Sequence, residues 1–167
     1  MTALTHISAK DVWKILETVN DPEVPVLSVI DLGIVRDVKI NGEEAEITIT
    51  PTYTGCPAMD VISMSIRMEL LANGFKTVII KQVLSPAWTT DWMSEAGKQK
   101  LKEYGIAPPD PGQQVCSTEL FQKEEGVQCP LCNSYHTHRI SEFGSTACKA
   151  LHQCDDCKEP FDYFKCH

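Results

Sequence analysis

Two cysteine pairs, Cys129-Pro-Leu-Cys132 and Cys154-Asp-Asp-Cys157, constrain this chain more than any other feature. Two such knuckles on facing hairpins, here with 21 residues between them, deliver four thiolates tetrahedrally to one metal ion, about 2.3 Å from each sulfur. From Cys116 on, the 52 residues hold seven cysteines and few large apolar side chains, too few to build a core unaided. Metal binding would then be the folding energy of this segment. Zinc in a ribbon is the first reading of the spacing. Iron, rubredoxin-like or in a cluster, is the rival, since four thiolates suit it too. With zinc, a four-cysteine site leaves no coordination position open, so its role is structural. Cys148, Cys166, His136, His138, His152 and His167 remain. Surface imidazoles are the plainer reading for the histidines, and metal binding by Cys148 and Cys166 stays open.

Composition narrows the class of function. The 167 residues carry a formal charge of −8 and are 43% hydrophobic, enough apolar material for a buried core. The negative balance disfavours nucleic acid and anionic membrane as partners. The cysteine-rich segment, with five basic and eight acidic side chains, also has the wrong sign for a phosphate-binding surface. The start, "MTALTHISAKDVW", has no apolar run of signal-peptide length, and no segment approaches a membrane span. A cytoplasmic protein with reduced thiols is expected, which disfavours disulfides.

The first two thirds alternate helical and extended patterns. Ser8-Ala-Lys-Asp11 is a capping box, and Val12, Ile15, Leu16 and Val19 form one helical face, ended by Asn20-Asp21-Pro22. "IVRDVKI" (34–40) and "AEITIT" (45–50) read as strands joined at Asn41-Gly42. From Pro57 to about Asn73 a helix is predicted, with Met59, Ile62, Ile66 and Leu70 on one face. "TVIIKQVL" (77–84) is a third strand, parallel to its predecessor because a helix intervenes. A last helix is expected over 94–104, followed by a Pro-rich stretch. Trp88 and Trp92 read first as packing residues, with an interface anchor as the alternative. The expectation is an α+β domain, α-β-β-α-β-α on a mixed sheet, over 1–106, a linker at 107–115 and a zinc-ribbon-like domain at 116–167.

A lone thiol, Cys56, stands between Gly55 and Pro57, away from the other seven cysteines. With Pro57 as the first helical residue, Cys56 is the N-cap, and the helix amides and dipole would lower its pKa. The plainer reading is a packed cysteine at a helix start, with Thr52 or Thr54 as the cap. Asp21, Glu23 and Asp31 lie in the irregular stretch before the first strand. They read as turn formers and caps, or as oxygen ligands and proton acceptors beside a thiolate–metal site. One thiolate holds a cluster poorly, so a second ligand or a second copy of the chain would be needed.

"DPEVPVLSVIDLGIV" and "TPTYTGCPAMD" resemble the signature stretches of the SufT-type metal–sulfur cluster assembly domain. "SPAWTTDWM", "YGIAPP", "ISEFGSTACKAL" and "CKEPFDYFKCH" resemble one branch, the D-type accessory component of the bacterial phenylacetyl-CoA epoxidase system of phenylacetate degradation. The resemblance implies that Cys56 is the functional thiol and that Cys129, Cys132, Cys154 and Cys157 hold the metal of the tail. It implies maturation of a di-iron monooxygenase by transient iron or an iron–sulfur cluster. The partners it implies are the other epoxidase subunits, especially the iron–sulfur reductase, with room for a homodimer that shares Cys56. The residues agree in lacking a Glu-x-x-His pair, a Gly-rich dinucleotide loop and a triad signature. Two rival readings are a non-catalytic structural subunit and a thiol enzyme. The latter needs a base, and His6 sits in a terminus expected to fray.

Overall fold

The computed structural model describes residues 7–109 and 126–165. The chain forms two compact units, Met1–Trp88 and Thr89–His167. Helix α1 (Ala9–Leu16) opens with the expected capping box: the Asp11 amide donates to Ser8 Oγ at 3.4 Å and the Ser8 amide to Asp11 Oδ2 at 2.9 Å. The Ser8 hydroxyl and amide hold the Asp11 carboxyl below its ordinary range. The helix ends about a turn earlier than its apolar face suggested. Thr18 and Val19 turn back on Ile15 and Leu16, and the Val19 carbonyl takes the Val29 amide at 2.8 Å. Val19 is thereby buried as an anchor for the irregular stretch, where Val24, Leu27, Val29, Leu32 and Ile34 are all interior.

Strands β1 (Val35–Asn41) and β2 (Glu44–Ile49) form an antiparallel hairpin with Asn41 opposite Glu44. Gly42 takes a φ of 63° at the turn, a conformation glycine adopts without strain. Helix α2 (Ala58–Ala72) then crosses to β3 (Thr77–Gln82), which pairs parallel to β2, giving the order β1-β2-β3. Ala45, Ile47 and Ile49 point to the helices and are fully buried. The alternate residues carry charge: Lys81 lies 2.6 Å and Lys39 3.9 Å from the Glu46 carboxylate, so the opposite face is wet. Met59, Ile62, Ile66 and Leu70 form the buried face of α2, as the periodicity required. Trp88 is core: its indole N–H donates to the Leu32 carbonyl at 2.8 Å.

The second unit begins with a 3-10 turn (Thr90–Trp92) and α3 (Glu95–Tyr104), capped by Ser94 and closed by Gly105 at φ 89°. The helical pattern alone groups α3 with the first domain, whereas its compact unit is the second one. Strands β4 (Ile106–Ala107), β5 (Thr137–Ser141), β6 (Lys149–Cys154) and β7 (Pro160–Phe164) form a sheet ordered β4-β7-β6-β5. The β4–β7 pair is parallel and the others are antiparallel. Of the expected linker, residues from 110 on lie outside the described ones. Among the described residues no helix is long and apolar enough to cross a membrane.

Ile47→Ala should cost the first unit about 3 kcal/mol, the usual scale for a large-to-small change in a sealed core. Lys39→Ala on the wet face should change stability by less than about 0.5 kcal/mol. Urea unfolding of the two variants beside wild type checks this, with the denaturant slope unchanged in both.

Candidate functional site

In the second unit the two knuckles meet. Cys129 Sγ lies 3.8 Å from Cys157 Sγ, and Cys132 Sγ 3.5 Å from Cys154 Sγ. All four sulfurs lie within 4.8 Å of one another. Four sulfurs about 2.3 Å from a central ion in a tetrahedron are about 3.8 Å apart, so the donor set fits a tetrathiolate ion. Each knuckle is a tight turn closed by its own backbone. The Asn133 amide reaches the Cys129 carbonyl at 2.9 Å, and the Lys158 amide the Cys154 carbonyl at 3.0 Å. Asn133 and Lys158, the residues just after each second cysteine, sit at φ 63° and 67°. The amides of Cys157 and Asp156 point at Cys154 and pull its pKa down to about 7. At Cys132 the Ser134 amide pulls the same way, but burial and the neighbouring thiols outweigh it and push the value up to about 12.

The remaining histidines and cysteines lie elsewhere. His136 and His138 are exposed and pair with the two aspartates inside the second knuckle, at 3.2 Å to Asp156 and 3.0 Å to Asp155. Ser134, through a short hydrogen bond, and His136 hold the Asp156 carboxyl below its ordinary range. His152 is buried, stacked on Phe161 with an edge toward Tyr163. Cys148 is buried beside the Thr146 hydroxyl, 3.0 Å away, and is not part of the sulfur cluster. Cys116, Cys166, His6 and His167 lie outside the described residues.

The Cys56 thiol sits at the head of α2, half-buried. Its amide reaches the Tyr53 carbonyl and its carbonyl takes the Met59 amide, both at 3.3 Å. The N-cap is Pro57, one residue later than the sequence suggested, and neither Thr52 nor Thr54 caps the helix. The expected low pKa is not found. Burial pushes the thiol above its ordinary value; the Ala58 amide and the Tyr53 side chain pull it down without prevailing, and the Glu23 and Asp21 carboxylates push it further up. The helix amide thus acts as anticipated, but desolvation is stronger. Among the described residues, the side chains that gather closely enough to hold a metal ion are the four ribbon cysteines; Asp21, Glu23 and Asp31 do not form such a group with Cys56. Asp21 shapes its loop, accepting from the Glu23 and Val24 amides at 2.7 and 2.8 Å. Asp31 closes a reciprocal turn with Ser28, accepting from its amide at 3.1 Å and its hydroxyl at 3.0 Å.

Comparison with known proteins matches these two sites to two family descriptions. Residues 9–77 match an iron-sulfur cluster assembly protein family, and residues 113–165 match the PaaD zinc beta ribbon domain. Over 156 residues the chain is 51% identical to an Escherichia coli protein named as the D subunit of a 1,2-phenylacetyl-CoA epoxidase, covering 93% of this chain and 92% of that one. The chain belongs to the D-type family of phenylacetyl-CoA epoxidase subunits. A Porphyromonas gingivalis protein named an Fe-S protein maturation auxiliary factor is 39% identical over 95 residues, 55% of this chain and 89% of its own. Two solved structures share the fold. A domain of unknown function from Bacillus anthracis is 30% identical with a TM-score of 0.52, covering 55% of this chain and 89% of its own. A conserved hypothetical protein from Thermotoga maritima is 26% identical with a TM-score of 0.51, covering 60% of this chain and 98% of its own. An α+β assembly domain and a cysteine-clustered ribbon are thus joined in one chain.

Two outcomes are expected. In metal-free protein, the rate of Cys56 alkylation by iodoacetamide should rise with pH through an inflection above the ordinary thiol value of 9.0, and Glu23→Gln should move it down. An inflection near neutrality would contradict the environment described. Cys154→Ser, at a fully buried position, should reduce tightly held metal from about one ion per chain to about none. Elemental analysis after gel filtration checks it.

Proposed function

We propose that this chain is a maturation factor for the multicomponent phenylacetyl-CoA epoxidase, an accessory protein rather than the oxygenase. Cys56 receives iron or an iron–sulfur cluster as cargo and passes it on, with Asp21, Glu23 and Asp31 of the preceding irregular stretch as weaker candidate ligands. The observation that carries this reading is the half-buried Cys56 thiol at the head of α2, inside the segment that matches iron–sulfur assembly proteins. Burial resists ionisation of the Cys56 thiol in the free protein. That does not suit a nucleophilic enzyme, whose thiol should be ionised beforehand. The names of the relatives support a role in the epoxidase system and in iron–sulfur maturation.

The ribbon is the fixed metal site. Zinc bound by Cys129, Cys132, Cys154 and Cys157 would supply folding energy and a rigid platform, with no chemistry of its own. The remaining epoxidase subunits, with the iron–sulfur reductase foremost, are the clients.

A second reading, a structural subunit of the epoxidase, has one observation in its favour. Val61, Met64, Met68 and Leu71 form an exposed apolar stripe along α2, opposite its buried face. Such a stripe fits burial against another component of the same system.

Metal and acid-labile sulfide should be measured on protein purified without oxygen, wild type beside Cys56→Ser. The carrier reading expects one zinc per chain in both and iron with sulfide in the wild type alone, together with reduced cluster content of the reductase in cells carrying Cys56→Ser. Full cluster loading in those cells, with stoichiometric co-purification of both forms with the oxygenase, would favour the structural reading instead.

A further inference from the structure

The two knuckles are copies of one turn, offset by 25 positions, and the copy includes a residue outside the cysteine motif. Cys129 donates its amide to the Ser134 carbonyl at 2.8 Å; Cys154 does the same to Glu159 at 3.1 Å. Asn133 returns an amide to Cys129 at 2.9 Å and Lys158 to Cys154 at 3.0 Å. Directly before each first cysteine stands a glutamine. Gln128 Nε2 donates to the Asn133 carbonyl at 3.2 Å, and Gln153 Nε2 donates to the Lys158 carbonyl at 3.0 Å. Both acceptor residues are non-glycine residues at positive φ, the conformation that turns the chain sharply after the second cysteine. Beyond the cysteines and these glutamines the two turns share no side chain: Pro130, Leu131 and Asn133 correspond to Asp155, Asp156 and Lys158.

We infer that Gln128 and Gln153 are positioning residues for the ribbon's metal, paired side-chain staples that hold each knuckle closed and its two sulfurs at ligating distance. The inference rests on the tetrathiolate reading of the four cysteines. Neither glutamine touches the ion. Each spans its turn, tying the residue before the first cysteine to the residue after the second. Opening of a knuckle must break that bond and relax the positive-φ residue together. The same side chain at the same place in two otherwise different turns is what a shared mechanical task requires. Each staple is a hydrogen bond whose loss should speed opening by about 5-fold. Because one ion needs both knuckles, the two effects should multiply.

The test uses full-length, zinc-loaded protein and follows transfer of zinc to excess pyridylazoresorcinol. Gln128→Met and Gln153→Met keep length and neutrality but lose the donor; Gln128→Ala and Gln153→Ala lose the side chain as well. Each Met variant is expected to release zinc about 5-fold faster, as fast as its Ala counterpart, and the double Met variant about 25-fold faster, with the same equivalent of zinc at the start. Met variants that release zinc at the wild-type rate while the Ala variants do not would assign the glutamines to packing and overturn the inference. So would wild-type rates in all of them. If a variant arrives without zinc, its chelator-free uptake of cobalt, read from the thiolate charge-transfer band, takes the place of the release rate, and affinity equal to wild type counts against the staple. A wild-type chain that takes up neither zinc nor cobalt overturns the tetrathiolate reading and this inference together.

Discussion

The convergence of four sulfurs organises the second unit. One buried cluster of this unit joins Ala107, Val127, Cys129, Cys154 and Phe161, so two of the sulfur donors are themselves packed into the core. Strand register and sulfur placement are one problem here. Thr137 lies opposite Cys154 across β5 and β6, which sets the stem of the first knuckle beside the start of the second. A slip by one residue would turn Cys154 from the interior to the surface and break up the sulfur set. An ion held by all four sulfurs would therefore favour this register over a slipped one.

The chain's thiols sit in different electrostatic settings. At Cys154 backbone amides favour the anion and bring the pKa to about 7, while its neighbours Cys132 and Cys157 are pushed up. At Cys56 burial is the largest influence and disfavours the anion. Four sulfurs converge in the ribbon, and Cys56 is not among them.

Much of this was legible from residues alone, and the exceptions have physical causes. The α2 face of Met59, Ile62, Ile66 and Leu70, the hairpin at Asn41-Gly42 and the paired knuckles are all local patterns, and the structure reproduces each. The end of α1 was not local, because Val19 leaves the helix to take the Val29 amide. The direction of the Cys56 shift was missed for the same reason. The helix amide is a neighbour in sequence, whereas the burial that raises the thiol arises only through the fold. Ile106 and Ala107 carry no periodic signal, being a two-residue strand, so Ala107 reads as the first residue of the 107–115 linker although it belongs to the second sheet. The glutamine before each knuckle stood in plain view, but only hydrogen bonds across each turn show what it does.

The parallel pairing of β4 with β7 bears on the order in which the polypeptide is made. Ile106 and Ala107 sit opposite Asp162 and Tyr163, so the opening strand of the second unit finds its neighbour only after everything between them has left the ribosome. Until then Ala107 has no sheet to join, and both knuckles can emerge before the sheet that frames them is complete. The first unit ends at Trp88 and can close while the rest is still being synthesised. The ribbon is thus the late structure of the pair.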